Sequence, residues 1–344
     1  MTGILSPVSQ PLTRILAMLR FSPLFLLASC SLFGSPKQND QDLAQHQSTA
    51  SLYYEGNRYP QALDQVRKGL QIAPDDYKLL TIRAWCYLQL SLASPSRLAQ
   101  AAKEFERIME LRRLDSQSPQ VLLGYGMCHE KIALTKRSEI VARREQLRRG
   151  KHDEAETAMA TAEFSEIEAS AAKHLREAEQ LFTILVTRGD LLLQAQNQLM
   201  QVRALRKNYQ GSLSAGTAYM ERAQTQADNI QTKLGRTTVI SYEAELHKQL
   251  NNLTDKMLTV REFLANVFFE LGRIEEAAAE LDTVIKIDPV RTSAYFNRAK
   301  ILQRLDRKSD ARRDYEKFLA TTRLPPGSQQ FTEAVKALGK LKER

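Results

Sequence analysis

A spaced pattern of small and large apolar residues recurs along this 344-residue chain and constrains its fold more than any other feature. In each copy an alanine is followed four residues later by an apolar or aromatic residue, and a second such residue follows three positions after that. The first copy is an exception at the last position, where it has the small residue Gly69. Copies begin at Ala62, Ala101, Ala277 and Ala311, the last two lying 34 residues apart. On a helix these positions share one face, where the alanine allows a second helix to approach closely. The pattern therefore predicts an all-α array of paired helices.

The composition of the chain also favours helix. The sequence has only 14 glycines and 11 prolines, and it is rich in Ala, Leu, Gln, Glu and Arg, which are good helix formers. The net charge of +9 falls to +7 when residues 1–29, which hold two arginines and no acid, are set aside. A balance this mild is not that of a basic tail that binds nucleic acid.

The paired pattern resembles the tetratricopeptide repeat (TPR), a helix-turn-helix unit of 34 residues. The first helices agree with it, because Leu264 and Ala265 stand where the family has its Leu-Gly pair. Phe268 stands where the family has tyrosine, and Gly272 stands at the turn. The resemblance implies a solenoid whose first helices line a concave groove that receives peptides or partner helices.

A long helical insertion separates two predicted TPR segments. Two interpretations of its later part, 190–257, stay open: decayed repeats, or long helices, because apolar residues recur every seven from Phe164 to Leu199. Such helices could pack within the monomer or form an oligomerising coiled coil, and Gly211 to Gly216 is the expected break. The chain also carries Leu-Ala-Ser-Cys, ending at Cys30, which resembles the lipobox of bacterial lipoproteins. With the N-terminal segments that this resemblance implies, the predicted segments are 1–29 (lipoprotein signal peptide), 30–42 (lipidated cysteine and flexible tether), 43–135 (N-terminal TPR segment), 136–257 (charged helical hairpin, then long helices or decayed repeats), 258–323 (C-terminal TPR pair) and 324–344 (capping helix).

A basic run in the insertion is followed by an acidic run. A basic helix and then an acidic helix predict a hairpin in which opposite charges lie side by side, with Gly150 ending the first helix and Asp153 starting the second. Contact with lipid headgroups or an acidic partner is the alternative. The neighbouring acids argue against nucleic acid, as does the periplasmic location that the lipobox resemblance implies. The runs are Lys136, Arg137, Arg143, Arg144, Arg148 and Arg149, then Asp153, Glu154, Glu156, Glu163, Glu166 and Glu168.

No catalytic constellation is evident, so an enzyme is not expected. The five histidines are dispersed, and the sequence contains no Walker loop, Gly-x-Ser-x-Gly or His-Glu-x-x-His motif. Cys128, His129 and Glu130 come nearest to a ligand cluster, but consecutive helical residues cannot converge on a metal without distant partners. We therefore predict no metal and no cofactor apart from a covalent lipid. Cys86 and Cys128 are expected to be buried thiols.

The N-terminal sequence predicts a membrane anchor. Leu-Ala-Ser-Cys, ending at Cys30, closes an apolar run behind Arg14 and Arg20 that is too short to span a bilayer. This sequence resembles the lipobox of bacterial lipoproteins, in which the cysteine becomes N-terminal and its thiol carries a diacylglycerol. The resemblance implies a lipid on Cys30. Ser31, in place of an aspartate, favours the outer membrane and a periplasmic location. An ordinary cleaved signal or a soluble tail is the alternative.

The TPR resemblance also assigns partner-binding positions on the first helices. Trp85 is the only tryptophan and suits an aromatic anchor, although a buried position between repeats fits it equally. Asn266 and Asn297 match the carboxylate clamp of chaperone-binding members, but Glu262 replaces the lysine of that clamp and would repel a peptide C-terminus. The predicted partner-binding residues are Tyr54, Lys78, Trp85, Leu88, Asn266, Phe269, Asn297 and Lys300.

These patterns together predict a membrane-anchored adaptor that binds protein or peptide partners in the bacterial envelope through its concave groove. The alternative is a structural scaffold of an envelope or secretion assembly that forms homo-oligomers through its central helices. The two differ in whether the central helices are needed for self-association.

Overall fold

The computed structural model describes residues 36–91, 94–149 and 154–342. Within these ranges the chain forms thirteen α-helices and one short 3-10 turn, with no strand, which confirms the all-α prediction. Helices that follow one another in sequence pack side by side, as six successive pairs and a final single helix. The helices are α1 Pro36–Glu55, α2 Tyr59–Ile72, α3 Tyr77–Leu90, α4 Pro95–Leu111, α5 Pro119–Arg149, α6 Glu154–Arg188, α7 Leu192–Leu205, α8 Tyr209–Leu234, α9 Ile240–Glu270, α10 Ile274–Ile287, α11 Thr292–Arg304, α12 Lys308–Thr321 and α13 Gln329–Lys342.

The first helix begins inside the predicted tether. Helix α1 starts at residue 36, so the prediction of a non-helical tether over 30–42 is wrong from that residue onward. Residues 38–45 contain Gln, Leu and Ala and no glycine or proline, and adding turns to a helix already formed costs little. Cys30 and the predicted signal peptide lie outside the described residues.

The small residues of the repeat pattern lie where helices cross. Ala62, Ala101, Ala277 and Ala311 are all fully buried. At Gly124, on α5, a Cβ would lie only 2.3 Å from Cζ of Phe105 on α4. These contacts confirm the packing reason for the pattern, which is that a small residue lets the neighbouring helix approach.

Four of the pairs are closed by the same turn. A residue with positive φ follows the first helix at Asn57, Lys207, Gly272 and Asp306, with φ between 56° and 75°. In each case the next backbone N–H donates to the carbonyl five residues earlier, at 2.8–2.9 Å. This is the Schellman arrangement, which satisfies carbonyls at a helix end. Only Gly272 was identified from the sequence, because Asn, Lys and Asp carry no comparable signal for this conformation.

The predicted insertion is not a separate domain. Helices α5 and α6 have 31 and 35 residues, whereas α7 and α10 have 14. The near ends of α5 and α6 form the third pair, and their far ends form the first arm, defined as 133–149 with 154–174. Helices α7 and α8 form the fourth pair, and the far ends of α8 and α9 form the second arm, defined as 223–234 with 240–257. Residues 190–257 thus contain one repeat and one arm.

The seven-residue recurrence does not follow a single helix. Helix α6 ends at Arg188, and Gly189 and Leu191, both with positive φ, turn the chain into α7. The break predicted at Gly211 to Gly216 is wrong, because both glycines lie inside α8. A Cβ on Gly216 would lie 2.5 Å from Cδ2 of Leu264, so this glycine permits a close crossing with α9.

The two helices of the first arm place opposite charges side by side, as predicted. Arg143 of α5 forms an ion pair with Glu163 of α6. The guanidinium carbon of Arg144 lies 5.4 Å from the centroid of the Phe164 ring, a cation–π distance. Ile140 and Phe164 are buried in the seam. Gly150 and Asp153 lie outside the described residues.

The remaining expectations about the fold concern the thiols and the last helix. Cys86 and Cys128 are free and buried, as predicted. Helix α13 packs Ala334 against Phe296 and Phe318, so it covers the apolar face of the last pair in the predicted way. Among the described residues, none of the helices has the length and apolarity to cross a bilayer.

Candidate partner-binding groove

An open cavity of about 960 Å³ lies between α7, α8 and α9. Helices α7 and α9 each pack on α8, and all three helices contribute side chains to the walls. Tyr219, Leu253 and Val260 line the cavity with side chains that are themselves buried. Burial raises the pKa of the Tyr219 hydroxyl, which therefore stays protonated. These three buried side chains form the base of the cavity, which is thus apolar with one polar hydroxyl.

Amide side chains dominate the rim of the cavity. Each amide offers donors and an acceptor, which suits the backbone of an extended chain. Arg222 and Lys256 add positive charge, and none of the described residues that line the cavity is acidic. The six amides are Gln194, Asn197, Gln226, Asn229, Gln249 and Asn252.

The second arm determines which side chains of α8 face the cavity. Ala223, Ala227 and Ile230 are buried in one cluster with Leu246 and Leu253 of α9. Since these positions form one face of α8, residues 222, 226 and 229 occupy the adjacent face and point into the cavity. Without the part of α8 that belongs to the second arm, the cavity would lose Gln226 and Asn229.

Comparisons with known proteins agree with this architecture. Residues 179–324 match the model of the bacterial transcriptional activator domain, and no curated protein matches the chain. The solved structure of PilW, a type IV pilus biogenesis factor, is 12% identical, covers 88% of this chain and 100% of its own, and has a TM-score of 0.51. The C-terminal part of a TPR repeat-containing protein from Cytophaga hutchinsonii is 14% identical, covers 85% of this chain and 84% of its own, and has a TM-score of 0.50. The chain has the TPR fold. At these identities the likeness concerns the fold alone.

In this TPR solenoid, the predicted N-terminal partner-binding residues lie on α1 and α3 in different environments. Tyr54 is half-buried with its ring centroid 5.8 Å from that of Tyr59, and Lys78 is exposed. Trp85 is half-buried and packs edge-on against Phe105 of its own pair at 6.1 Å. It also lies against Gly124 of the next pair, where a Cβ would be 3.0 Å from Cε2 of Trp85, so the ring lies between repeats. Leu88 is only 2% exposed in the core formed with α4. Its assignment to the partner-binding surface needs correction, because its side chain already fills that core.

The predicted C-terminal partner-binding residues lie on α9 and α11. Asn266 is exposed and donates to the carbonyl of Glu262 on its own helix at 3.1 Å. Phe269 and Asn297 are half-buried. Lys300 forms an ion pair with Glu333 of α13 at 3.1 Å, so the last helix of the TPR solenoid occupies one side of it.

Glu262, which stands where the carboxylate clamp has a lysine, forms an ion pair within the protein. Glu262 pairs with Arg291, which also donates to Asp255 and Thr259, at 2.7 Å in each case. This network ties α9 to the start of α11. The carboxylate is thereby neutralised within the TPR solenoid and leaves no lysine for a peptide C-terminus.

None of the eight predicted residues lines the cavity. The signal that could have identified its walls is a helix face that carries amides and cations without acids. Arg222, Gln226 and Asn229 follow such a spacing, as do Gln249, Asn252 and Lys256. Sequence reasoning missed them because the TPR pattern assigns no groove position to the extended parts of α8 and α9.

A cluster of potential metal ligands lies at the base of the first arm. Nδ1 of His129 lies 2.8 Å from Nδ1 of His174 and 3.0 Å from Oε2 of Glu177. Nδ1 of His174 lies 3.6 Å from the same oxygen. The distant partners of His129 are His174 and Glu177 on α6, which the sequence did not reveal. Cys128 and Glu130 are not part of this cluster. The expectation that no ligand cluster forms therefore needs correction.

Proposed function

We propose that this protein is a lipid-anchored adaptor that binds an extended segment of a partner protein between α7, α8 and α9. The observation that carries the proposal is the cavity of about 960 Å³ with amide and cationic walls. Amide side chains can pair with the backbone of an extended segment, and the buried apolar base can take one of its side chains. Arg222 and Lys256 favour a segment that carries acidic residues.

The anchor sequence supports a location for this adaptor. We propose that a lipid on Cys30 holds the protein in the outer membrane of the bacterial envelope, facing the periplasm. Anchoring confines the TPR solenoid to a surface and so raises its effective concentration toward partners there. An envelope assembly is the setting proposed, and this rests on the anchor sequence rather than on the fold shared with PilW.

Position-specific photocrosslinking in intact cells tests the groove. Crosslinkers at Gln226 and Asn252 sample the cavity, and those at Tyr54 and Asn266 sample other first helices. Lys317, exposed on the second helix of the last pair, is the matched control. The proposal expects one protein to be captured from both cavity positions and not from Lys317. Equal capture from the control position would contradict it.

The captured partner then allows a test in solution. The double variant Arg222→Glu, Lys256→Glu should weaken binding of the purified partner at least about tenfold, with the largest loss at low salt, because charge attraction becomes repulsion. Lys317→Glu should leave affinity unchanged. If the double variant binds as tightly as the unchanged protein, the cavity is not the binding site.

The anchor is tested separately through Cys30. Mass measurement of the N-terminal peptide should show a diacylglycerol on the thiol, and Cys30→Ala should release the protein from membranes after a salt wash. An alanine variant that stays with the membrane would show that something other than the lipid holds it there.

A further inference from the structure

The cluster of His129, His174 and Glu177 joins the two helices of the third pair where the first arm leaves the solenoid. We propose that these three side chains bind one divalent transition-metal ion, best matched by Zn²⁺, and so fasten α5 to α6. Two imidazole nitrogens and one carboxylate oxygen form a donor set that suits Zn²⁺ and its neighbours in the first row. Neither the TPR fold nor the proposed binding groove requires this site.

The positions of the three atoms fit an ion. With separations of 2.8, 3.0 and 3.6 Å, they lie on a circle whose radius is about 1.9 Å, just below the ~2.0–2.1 Å of Zn–N and Zn–O bonds. An ion slightly out of the plane of the three atoms therefore reaches all of them without backbone movement. His174 and Glu177 are partly exposed, so an ion can enter and a water molecule can complete a tetrahedral set.

Hydrogen bonding satisfies this cluster poorly without an ion. Nδ1 of His129 faces both Nδ1 of His174 and Oε2 of Glu177, and a neutral imidazole carries a single N–H. If one of the two Nδ1 atoms carries a proton, at least one of the three contacts joins two lone pairs, and if both carry one, the two N–H groups face each other at 2.8 Å. An ion would instead use a lone pair of each of the three atoms at once. A neutral imidazole always keeps one ring nitrogen free of hydrogen, and the lone pair of that nitrogen can bind an ion.

Nearby cations limit the affinity. Nζ of Lys173 lies 3.9 Å from Oε1 of Glu177, the oxygen that does not face the histidines, and Lys136 lies near His174. Both repel a bound cation. With three protein ligands and these two charges, the site should bind Zn²⁺ more weakly than a closed site of four protein ligands.

Titration of the metal-free protein, purified without a histidine tag, tests the proposal. Calorimetry with Zn²⁺ should show one saturable site per chain, and Co²⁺ should give the visible absorption of a tetrahedral N/O site. His174→Gln and Glu177→Gln should each weaken Zn²⁺ binding at least about tenfold. His247→Gln is the matched control, because His247 also faces a carboxylate, that of Glu243 at 3.7 Å, but finds no third ligand atom in the part of the chain that the structure describes.

Thermal unfolding provides a second readout that does not depend on the variants being equally stable. Added Zn²⁺ should raise the Tm of the unchanged protein and of His247→Gln, because an ion that binds only the folded state stabilises it. It should leave the Tm of His174→Gln unchanged. Absence of saturable binding to the unchanged protein, or equal binding by His174→Gln, would overturn the proposal.

Discussion

At the scale of single residues, the close crossings of the solenoid depend on positions where a Cβ does not fit. A Cβ on Gly124 would lie 2.3 Å from Cζ of Phe105 and 3.0 Å from Cε2 of Trp85. Glycine inside a helix costs about 0.5–1 kcal/mol relative to alanine. Its presence in the second turn of α5 is therefore explained by the two aromatic rings that pack against it.

Replacing this glycine tests the packing argument. Gly124→Ala should lower the free energy of unfolding by about 1–3 kcal/mol, because the rings of Phe105 and Trp85 must move. Gly339→Ala is the matched control in α13, where a Cβ would meet nothing within 4 Å, and it should raise stability by up to about 1 kcal/mol. Urea unfolding measures both. Changes in the same direction would show that packing is not the reason.

The two buried thiols should react slowly with alkylating reagents. Burial raises the pKa of Cys86 and of Cys128 to about 12, and only the thiolate is nucleophilic. Because the protonated form dominates up to about pH 12 in the folded protein, raising the pH from 7 to 9 should scarcely increase their alkylation. Leu52→Cys, at an exposed position, should react rapidly and with the ordinary pH dependence. Mass spectrometry of the labelled peptides measures the rate of alkylation at each cysteine. Fast alkylation of Cys86 or Cys128 in the folded protein would contradict the prediction.

At the scale of helices, the sequence predicted the elements that obey the repeat and misjudged those that extend it. The small residues at Ala277 and Ala311 specify the crossing of each second helix on its partner, and this contact is local in sequence. Whether a helix continues past its repeat length depends on an apolar seam with a neighbouring helix. In the sequence, the seven-residue spacing of such a seam is the same within α6 as across the turn at Leu191 that ends it. The cavity was not predictable for a related reason, since three helices must be placed together before its walls exist.

The first arm should behave as a unit that can unfold by itself. Phe164 is its large buried residue, and most other side chains beyond Ile140 are exposed. Phe164→Ala should lose hydrogen-exchange protection within 140–149 and 160–170, while protection in α10 to α12 stays unchanged. Glu163→Gln, which removes only a surface ion pair, should change stability by less than about 1 kcal/mol. Loss of protection across the whole chain would show that the arm is part of the common core.

At the scale of the whole molecule, the apolar seam of the second arm is closed within the chain, because Leu246 and Leu253 of α9 are buried against Ala223 and Ala227 of α8. Exposed apolar side chains remain on both arms, and Ile240, which begins α9, is 82% exposed. A self-associating scaffold would have to use such residues, which are Leu134, Val141 and Met159 on the first arm and Val239 and Ile240 at the start of α9.

Mass measurement in solution separates the adaptor from the scaffold. A version of the protein that starts at residue 36 should be a monomer at micromolar concentration, and Ile240→Ser should leave its mass unchanged. Arg236→Ser, at an exposed position just after α8, is the control for changes in this loop. A stable oligomer that Ile240→Ser dissociates and Arg236→Ser does not would favour the scaffold.

The cavity straddles the junction between two helix pairs, since α7 and α8 belong to the fourth pair and α9 begins the fifth. Packing in the solenoid is mostly between neighbouring helices, so a bend at one junction disturbs few contacts elsewhere. Bending at this junction must widen or narrow the gap between α7 and α9. A force that bends the solenoid would therefore change the affinity of the cavity for a bound segment. A bound segment would in turn resist bending at this junction.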